Sequence, residues 1–205
     1  MTDQFALLNQ PRRPWVEAEA LKASFFELSA GVHPDRVHGA AESDKQKANQ
    51  RYAELNAAYN CLRSPKSRLQ HLLELELGTK PKEVQATAPG GIELCMAVGT
   101  LCREVDRFLT DRAEVTSPIL KVQQFERAQE WTERARELQR SLHEKQERLT
   151  AELQKLNAAW EIAPPSGEAR RAALPLGRLE AIWRDCSYLA RWSEQIQERI
   201  VQLSF

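Results

Sequence analysis

The sequence predicts an all-α protein. An antiparallel helical hairpin with short flanking helices comes first, and an antiparallel three-helix bundle with one long helix follows. Three observations carry this. Apolar residues recur at alternating spacings of three and four along most of the chain. No stretch alternates with period two over six residues, and valine is sparse. Proline and glycine gather at a few points that separate the periodic runs.

The elements follow in order. Phe5 to Leu8 is a short apolar segment that stops before Asn9, Pro11 and Pro14. A second helix begins near Trp15 to Ala18, with Leu21, Phe25, Leu28 and Val32 on its apolar face. Gly31 and Pro34 end it, because proline drives the preceding residue, His33, out of the helical region. Residues 36–44 read as a loop, and Ser43 or Asp44 is placed to cap the next helix. Tyr52, Leu55, Tyr59 and Leu62 line one face of that third helix. Two helices of this length, each with one apolar stripe and joined by a short loop, pack antiparallel. The His33-Pro34-Asp35 turn then sits at the open tip of the hairpin. Ser64-Pro65 starts a fourth helix, serine as N-cap and proline at the first helical position, and Gly78 stops it.

Residues 79–91 hold Pro81, Pro89, Gly90 and Gly91 in a polar setting and read as a linker. They divide the chain into 1–78, the linker 79–91, and 92–205. A fifth helix covers Ile92 to Leu109, with Cys95 and Cys102 expected as core thiols beside Val98 and Val105. Ser117-Pro118 opens the longest periodic stretch, to Trp160, with Leu138, Leu142, Leu149 and Leu153 in its stripe. As one helix it measures about 65 Å at 1.5 Å per residue, against about 40 Å for the last helix, Leu176 to Leu203. Either it breaks near Lys145-Gln146 or its tip overhangs. Pro164-Pro165-Ser166-Gly167 between them reads as a turn or short loop.

Bulk properties narrow the function. Charged residues make up 28% and apolar ones 42%, the balance of a soluble globular chain. Lys and Arg equal Asp and Glu at 29 each, so nothing global points to nucleic acid or to an anionic membrane. The four cysteines form no CxxC pair and no secretory leader precedes them, which makes a reducing cytosol the expectation. His38, His71 and His143 show no ligand spacing with His33. No serine or cysteine sits in an elbow-like glycine context, and no phosphate-binding glycine loop is present. The expectation is therefore no enzyme, no metal and no cofactor.

The tripeptide His33-Pro34-Asp35 has two readings on physical grounds alone. As a helix stop, proline forces the exit and Asp35 accepts bonds from nearby amides. As a contact site, the turn presents side chains to a partner. The first reading leaves the histidine without a reason.

With its surroundings, the tripeptide resembles a known signature. "FALLNQP", "EALKASFFELSAGVHPDR" and "NQRYAELNAAYNCLRSPKSR" together are similar to a J-domain, the module that docks on DnaK-class (70-kDa heat-shock) chaperones and stimulates their ATPase. More narrowly, "YNCLRSPKSRLQHLLELELG" and the ending "CSYLARWSEQIQERIVQLSF" resemble the HscB (Hsc20) type, the co-chaperones of iron–sulfur cluster assembly. The second half matches mainly in helix order, and its length between Pro118 and Pro164 is a departure. The resemblance implies a co-chaperone with no active site of its own. His33, Pro34 and Asp35 match the triggering signature, and Asp35 would make a charge-assisted contact to a cation of the chaperone. Arg36 stands where the family commonly has lysine or arginine, and Lys22 is the one basic residue on the second helix, whose face in the family is basic and meets an acidic surface of the chaperone. The second helix departs from that basic pattern: Lys22 stands against Glu17, Glu19 and Glu27, so electrostatic steering is expected to be weak. The whole segment 1–78 balances ten basic against ten acidic side chains. The resemblance also implies a client held by the second half, an iron–sulfur scaffold in that setting, with Leu94, Met96, Leu101 and Phe108 as candidate contacts that are equally good core residues. Of the tryptophans, Trp160 and Trp183 read as packing residues, and Trp131 and Trp192 as either packing or partner anchors. The alternative to a co-chaperone is a J-like interaction protein with weakened chaperone binding, pairing through Leu138, Leu142, Leu149 and Leu153 of its long helix.

Overall fold

The computed structural model describes residues 2–32, 41–81 and 91–204. Among these the regular structure is helical, with no strand: α1 (Gln4–Leu7), α2 (Ala18–Ala30), α3 (Glu42–Arg63), α4 (Pro65–Leu77), α5 (Ile92–Ala113), α6 (Pro118–Ile162), α7 (Gly167–Ala173) and α8 (Leu176–Leu203). The chain forms two compact units, one from Met1–Glu83 with Ala151–Trp183, the other from Val84–Thr150 with Arg184–Phe205.

In the first unit α3 packs against α1, α2 and α4. Leu21 and Phe25 of α2 are buried, as are Ala48, Leu55, Ala58 and Leu62 of α3 and Leu69, Leu72 and Leu73 of α4. The α2 stripe closes on Ser29 rather than on Leu28, which is half-buried; the Ser29 hydroxyl donates to the Phe26 carbonyl at 3.3 Å. The α3 helix starts at Glu42 behind Ala41, which offers no side-chain cap, so Ser43 and Asp44 lie in the first turn instead of capping it. Glu42 and Asp44 there still place negative charge at the positive end of the helix dipole. The Ser64-Pro65 restart forms as the sequence predicts. Ser64 accepts from the Ser67 amide, and Gly78 caps α4 at φ 76°, a left-handed value that glycine adopts without strain.

Short α1 cannot hold itself by helical propensity. Asp3 caps it by accepting from the Phe5 and Ala6 amides, and Arg12 pairs with the same carboxylate at 2.7 Å. Phe5 is fully buried and stacks on His71 at 5.9 Å between ring centroids. His71 Nε2 accepts the Gln4 amide at 3.0 Å, which only the neutral ring can do. Burial lowers the His71 pKa below 6.5, with the carboxylates of Asp3 and Glu74 pulling the other way and Arg12 adding to the lowering. The unfolded chain therefore takes up this proton first. The stability contributed is complete above about pH 6.5 and is lost as pH falls through the lower folded-state value. Denaturant titrations are expected to show stability falling as the pH drops below about 6.5, with a flatter profile in His71→Gln, which keeps an acceptor and loses the titration. An identical slope in the variant would assign the effect to other groups.

Polar contacts tie this helical cluster to residues 151–183 of the same unit. Asn157 accepts the Trp15 amide and donates to the Trp15 carbonyl, both at 3.0 Å. Buried Arg68 donates to the Pro14 carbonyl at 2.9 Å and to the Leu62 carbonyl at 2.6 Å. Glu76, its side chain only 3% exposed, is held by Arg170 through two bonds of 2.8 and 2.7 Å and accepts the Trp160 indole N–H at 3.2 Å. Arg170 belongs to α7, a short helix in place of the plain turn or loop expected between the two long helices.

The second unit is built on α5 and on parts of α6 and α8. Arg127 lies over the Phe108 ring, and residues 97–104 of α5 face 131–141 of α6 across a shallow groove, so these two helices run antiparallel. Asp106 pairs with Arg199 at 3.0 Å and Arg112 donates to the Leu203 carbonyl, so α5 and α8 run the same way. Val98, Leu101, Val105, Phe108, Ala128, Ala135, Leu142, Leu149, Leu189, Trp192, Ile196 and Leu203 are buried here.

One expectation about this half is corrected, and one alternative is decided. Cys95 is exposed and Cys102 half-buried. At about 100° per residue both thiols fall about a quarter turn from the centre of the Val98-Leu101-Val105-Phe108 stripe. Of the two alternatives for the long helix, the break is the one that does not occur: α6 is continuous for 45 residues, through Lys145 and Gln146.

Candidate functional site

The site indicated by the sequence is the connection between α2 and α3. His33, Pro34, Asp35 and Arg36 lie outside the described residues, so the geometry available is that of the two helices that lead into and out of them. The chain leaves α2 through Gly31 and Val32, whose amide bonds back to the Ser29 carbonyl at 3.1 Å, and it re-enters a helix at Glu42. Phe25 fixes α2 on α3 by stacking on Tyr59 at 4.8 Å and meeting Tyr52 at 6.4 Å. Those contacts decide which face of α2 is left outward. It carries Lys22, Ala23, Phe26, Glu27 and Ala30, all exposed. Lys22 is thus available to a partner. Phe26, 58% exposed, is a surface residue that the sequence reading passed over. Its position about 100° around the helix from buried Phe25 was the signal that marks it.

The candidate client residues separate in the structure. Leu101 and Phe108 are core residues of the second unit, 8% and 3% exposed. Met96 is 68% exposed and Leu94 half-buried, near Ile92 at 50%. Trp160, Trp183 and Trp192 are buried, and Trp131 is half-buried beneath the Arg134 guanidinium at 4.8 Å. Leu142, Leu149 and Leu153 are buried at 1–3% and occupied by their own chain's packing, so they are not the free coiled-coil seam considered in the sequence. Exposed apolar side chains of α6 lie instead at its start: Ile119, Leu120, Val122 and Phe125. Among the described residues no three His, Cys, Asp or Glu side chains gather as a metal-ligand set, and no helix is long and apolar enough to cross a membrane. Burial raises the pKa of Cys61 and of Cys102, which disfavours the reactive thiolate at both.

No family model matches the chain. It is 39% identical over 87 residues to the co-chaperone protein HscB homolog of Pseudoalteromonas atlantica, covering 42% of this chain and 49% of that protein. The corresponding protein of Bordetella avium is 34% identical over 89 residues, covering 42% of this chain and 53% of that one. The chain thus spans about half the length of the curated relatives it matches. Chaperone HscB from Vibrio cholerae superposes with a TM-score of 0.63 at 19% identity, over 98% of this chain and 99% of that one. The sequence similarity to HscB-type co-chaperones covers under half of this chain, and the likeness in fold covers nearly all of it. Human co-chaperone protein HscB superposes with a TM-score of 0.61 at 20% identity, over 97% of this chain and 82% of its own. At such identities the two structures establish the fold: an HscB-like J-domain followed by a helical bundle, the helix order that the second half of the sequence predicts.

Proposed function

We propose that the chain is a co-chaperone that docks on a DnaK-class chaperone and stimulates its ATPase, while its second half binds a client. The observation that carries this reading is the placement of His33-Pro34-Asp35 directly between α2 and α3 of an HscB-like fold. Asp35 supplies a carboxylate for a cation of the chaperone, a charge-assisted bond stronger than a neutral one. His33 and Pro34 fix the turn, and Arg36 and Lys22 flank it. Segment 1–78 is the docking module, with 151–183 packed in the same compact unit, 79–91 is the linker, and the client module lies within the rest of 92–205. The client is an iron–sulfur scaffold, met on the exposed start of α5 at Met96 and Leu94 rather than on Leu101 or Phe108. The protein works in the cytoplasm, without a cofactor and without chemistry of its own. The test is the steady-state ATPase of the chaperone: Asp35→Asn is expected to abolish stimulation while leaving the melting curve unchanged. Full stimulation by that variant would rule the reading out.

A second reading, an interaction protein that works through its long helix, is favoured by the exposed Ile119, Leu120, Val122 and Phe125. Light scattering at high concentration tests its self-pairing form, which a monomer excludes.

A further inference from the structure

We infer that Phe26 is the apolar anchor by which α2 grips the partner that engages His33-Pro34-Asp35, in place of the electrostatic attraction that this helix lacks. The inference rests on the co-chaperone reading and names how that same surface recognises its partner.

Four observations lead there. The first is the ring itself. Phe25 already fills the groove toward α3, and Phe26 leans on it from outside at 5.7 Å with 58% of its surface left in water. An aromatic ring so exposed gives up the transfer free energy that burial would return. Ala23 and Ala30, a turn away on either side, are too small to shield it.

The second is reach. From Phe26 to Gly31 the chain rises about 7.5 Å along the helix, and two further residues add at most about 7 Å even fully extended. His33 is therefore within about 15 Å of Phe26 whatever the conformation between them. A specific interface covers about 800 Å² on each partner, a disc of about 16 Å radius. A protein centred on the tripeptide is therefore large enough to cover Phe26 as well.

The third is charge. Around α2 one lysine, Lys22, stands against Glu17, Glu19 and Glu27, and among these Lys22 and Glu27 flank the Phe26 face. With one charge of each sign beside Phe26, the face neither draws nor repels a charged partner surface strongly. The complement to this face is an apolar recess. The fourth is energetic economy: a single aromatic inserted into such a recess is the kind of residue that carries a large share of binding energy, because a few desolvated anchors dominate an interface.

The experiment titrates purified DnaK-class chaperone from the same genome with the full chain, with Phe26→Ala, with Phe26→Leu and with Asp35→Asn, at low and high salt. Phe26→Ala is expected to raise the concentration for half-maximal stimulation about tenfold or more at an unchanged maximal rate. Phe26→Leu keeps most of the affinity, and Asp35→Asn loses the maximal rate. The half-maximal concentration of the unaltered chain moves less than about threefold with salt, as a contact with little charge requires. Amide protection over residues 22–30 on adding the chaperone gives a readout independent of any variant's folding. If Phe26→Ala matches the unaltered chain while Asp35→Asn abolishes stimulation, the docking reading stands and the anchor falls. A loss of maximal rate alone, a steep salt dependence, or no protection over 22–30 overturns it as well. If the unaltered chain does not stimulate, or Asp35→Asn stimulates fully, both fall together.

Discussion

Arg170→Ala is expected to destabilise the first compact unit by about 3–5 kcal/mol, the range measured when one member of a buried ion pair is removed. The size follows from what is left behind. Glu76 is 3% exposed, and Arg170 supplies two of its bonds, at 2.8 and 2.7 Å. Without the guanidinium the carboxylate keeps the Trp160 indole N–H and loses the charge that offsets its desolvation. Arg170 also donates to the Pro164 carbonyl at 3.0 Å, so α7 loses its tie to the preceding turn. Replacing both partners, Glu76→Met with Arg170→Met, should recover much of the loss, since no buried charge remains and only the Trp160 and Pro164 bonds are missing. Arg140→Ala serves as the comparison. Its guanidinium is 64% exposed and meets Glu133 and Glu137 at 3.9 Å, so it should change stability by about 0.5 kcal/mol or less. Urea denaturation followed by circular dichroism reads all three. Equal shifts for Arg170→Ala and Arg140→Ala would mean that the buried pair contributes nothing beyond a surface one.

That pair also marks a boundary of what the sequence makes legible. The helices were readable because their signal is local: stripes repeat every three or four residues, and Ser64-Pro65 and Gly78 act within one turn of themselves. The α8 limits at Leu176 and Leu203 are read directly from that repeat. The seven-residue α7 has no room for a repeat, and Pro164 and Pro165 before it, with its own first residue Gly167, read as a turn. Glu76 and Arg170 are 94 residues apart, and Asn157 and Trp15 are 142 apart, so no window on the sequence shows either contact. Burial of a charged residue is invisible for the same reason: Arg68 is recognisable as part of a family motif, while its work of holding the Pro14 and Leu62 carbonyls depends on the assembled fold. The cysteines of α5 failed differently. A spacing of seven places two residues on one face, and it does not say that the face is the buried one. The proposed site rests on a signature in the sequence, His33-Pro34-Asp35, and its surroundings were not legible as a surface, since the outward side of α2 is decided by where Phe25 packs.

Phe25 and Phe26 turn that last point into the sharpest contrast in the molecule. Phe25→Ala is expected to cost about 3–5 kcal/mol, the range for deleting a buried phenylalanine. The ring is 8% exposed, stacked on Tyr59 at 4.8 Å with 22° between planes, and near Tyr52 at 6.4 Å. Its removal opens a cavity where α2 and α3 meet, and two half-buried tyrosines cannot close over it without giving up their own positions. Phe26→Ala removes the same atoms one residue later and should cost well under 1 kcal/mol, because most of that ring is already in water. In the chaperone assay the order is different. Phe25→Ala loses stimulation in proportion to the fraction unfolded, and low temperature or a stabilising osmolyte restores it. Phe26→Ala loses affinity at every temperature at which it is folded. Melting curves and ATPase titrations on the two variants separate these outcomes. Equal stability of the two would place the α2–α3 packing elsewhere than on Phe25 and would remove the physical reason for Phe26 facing outward.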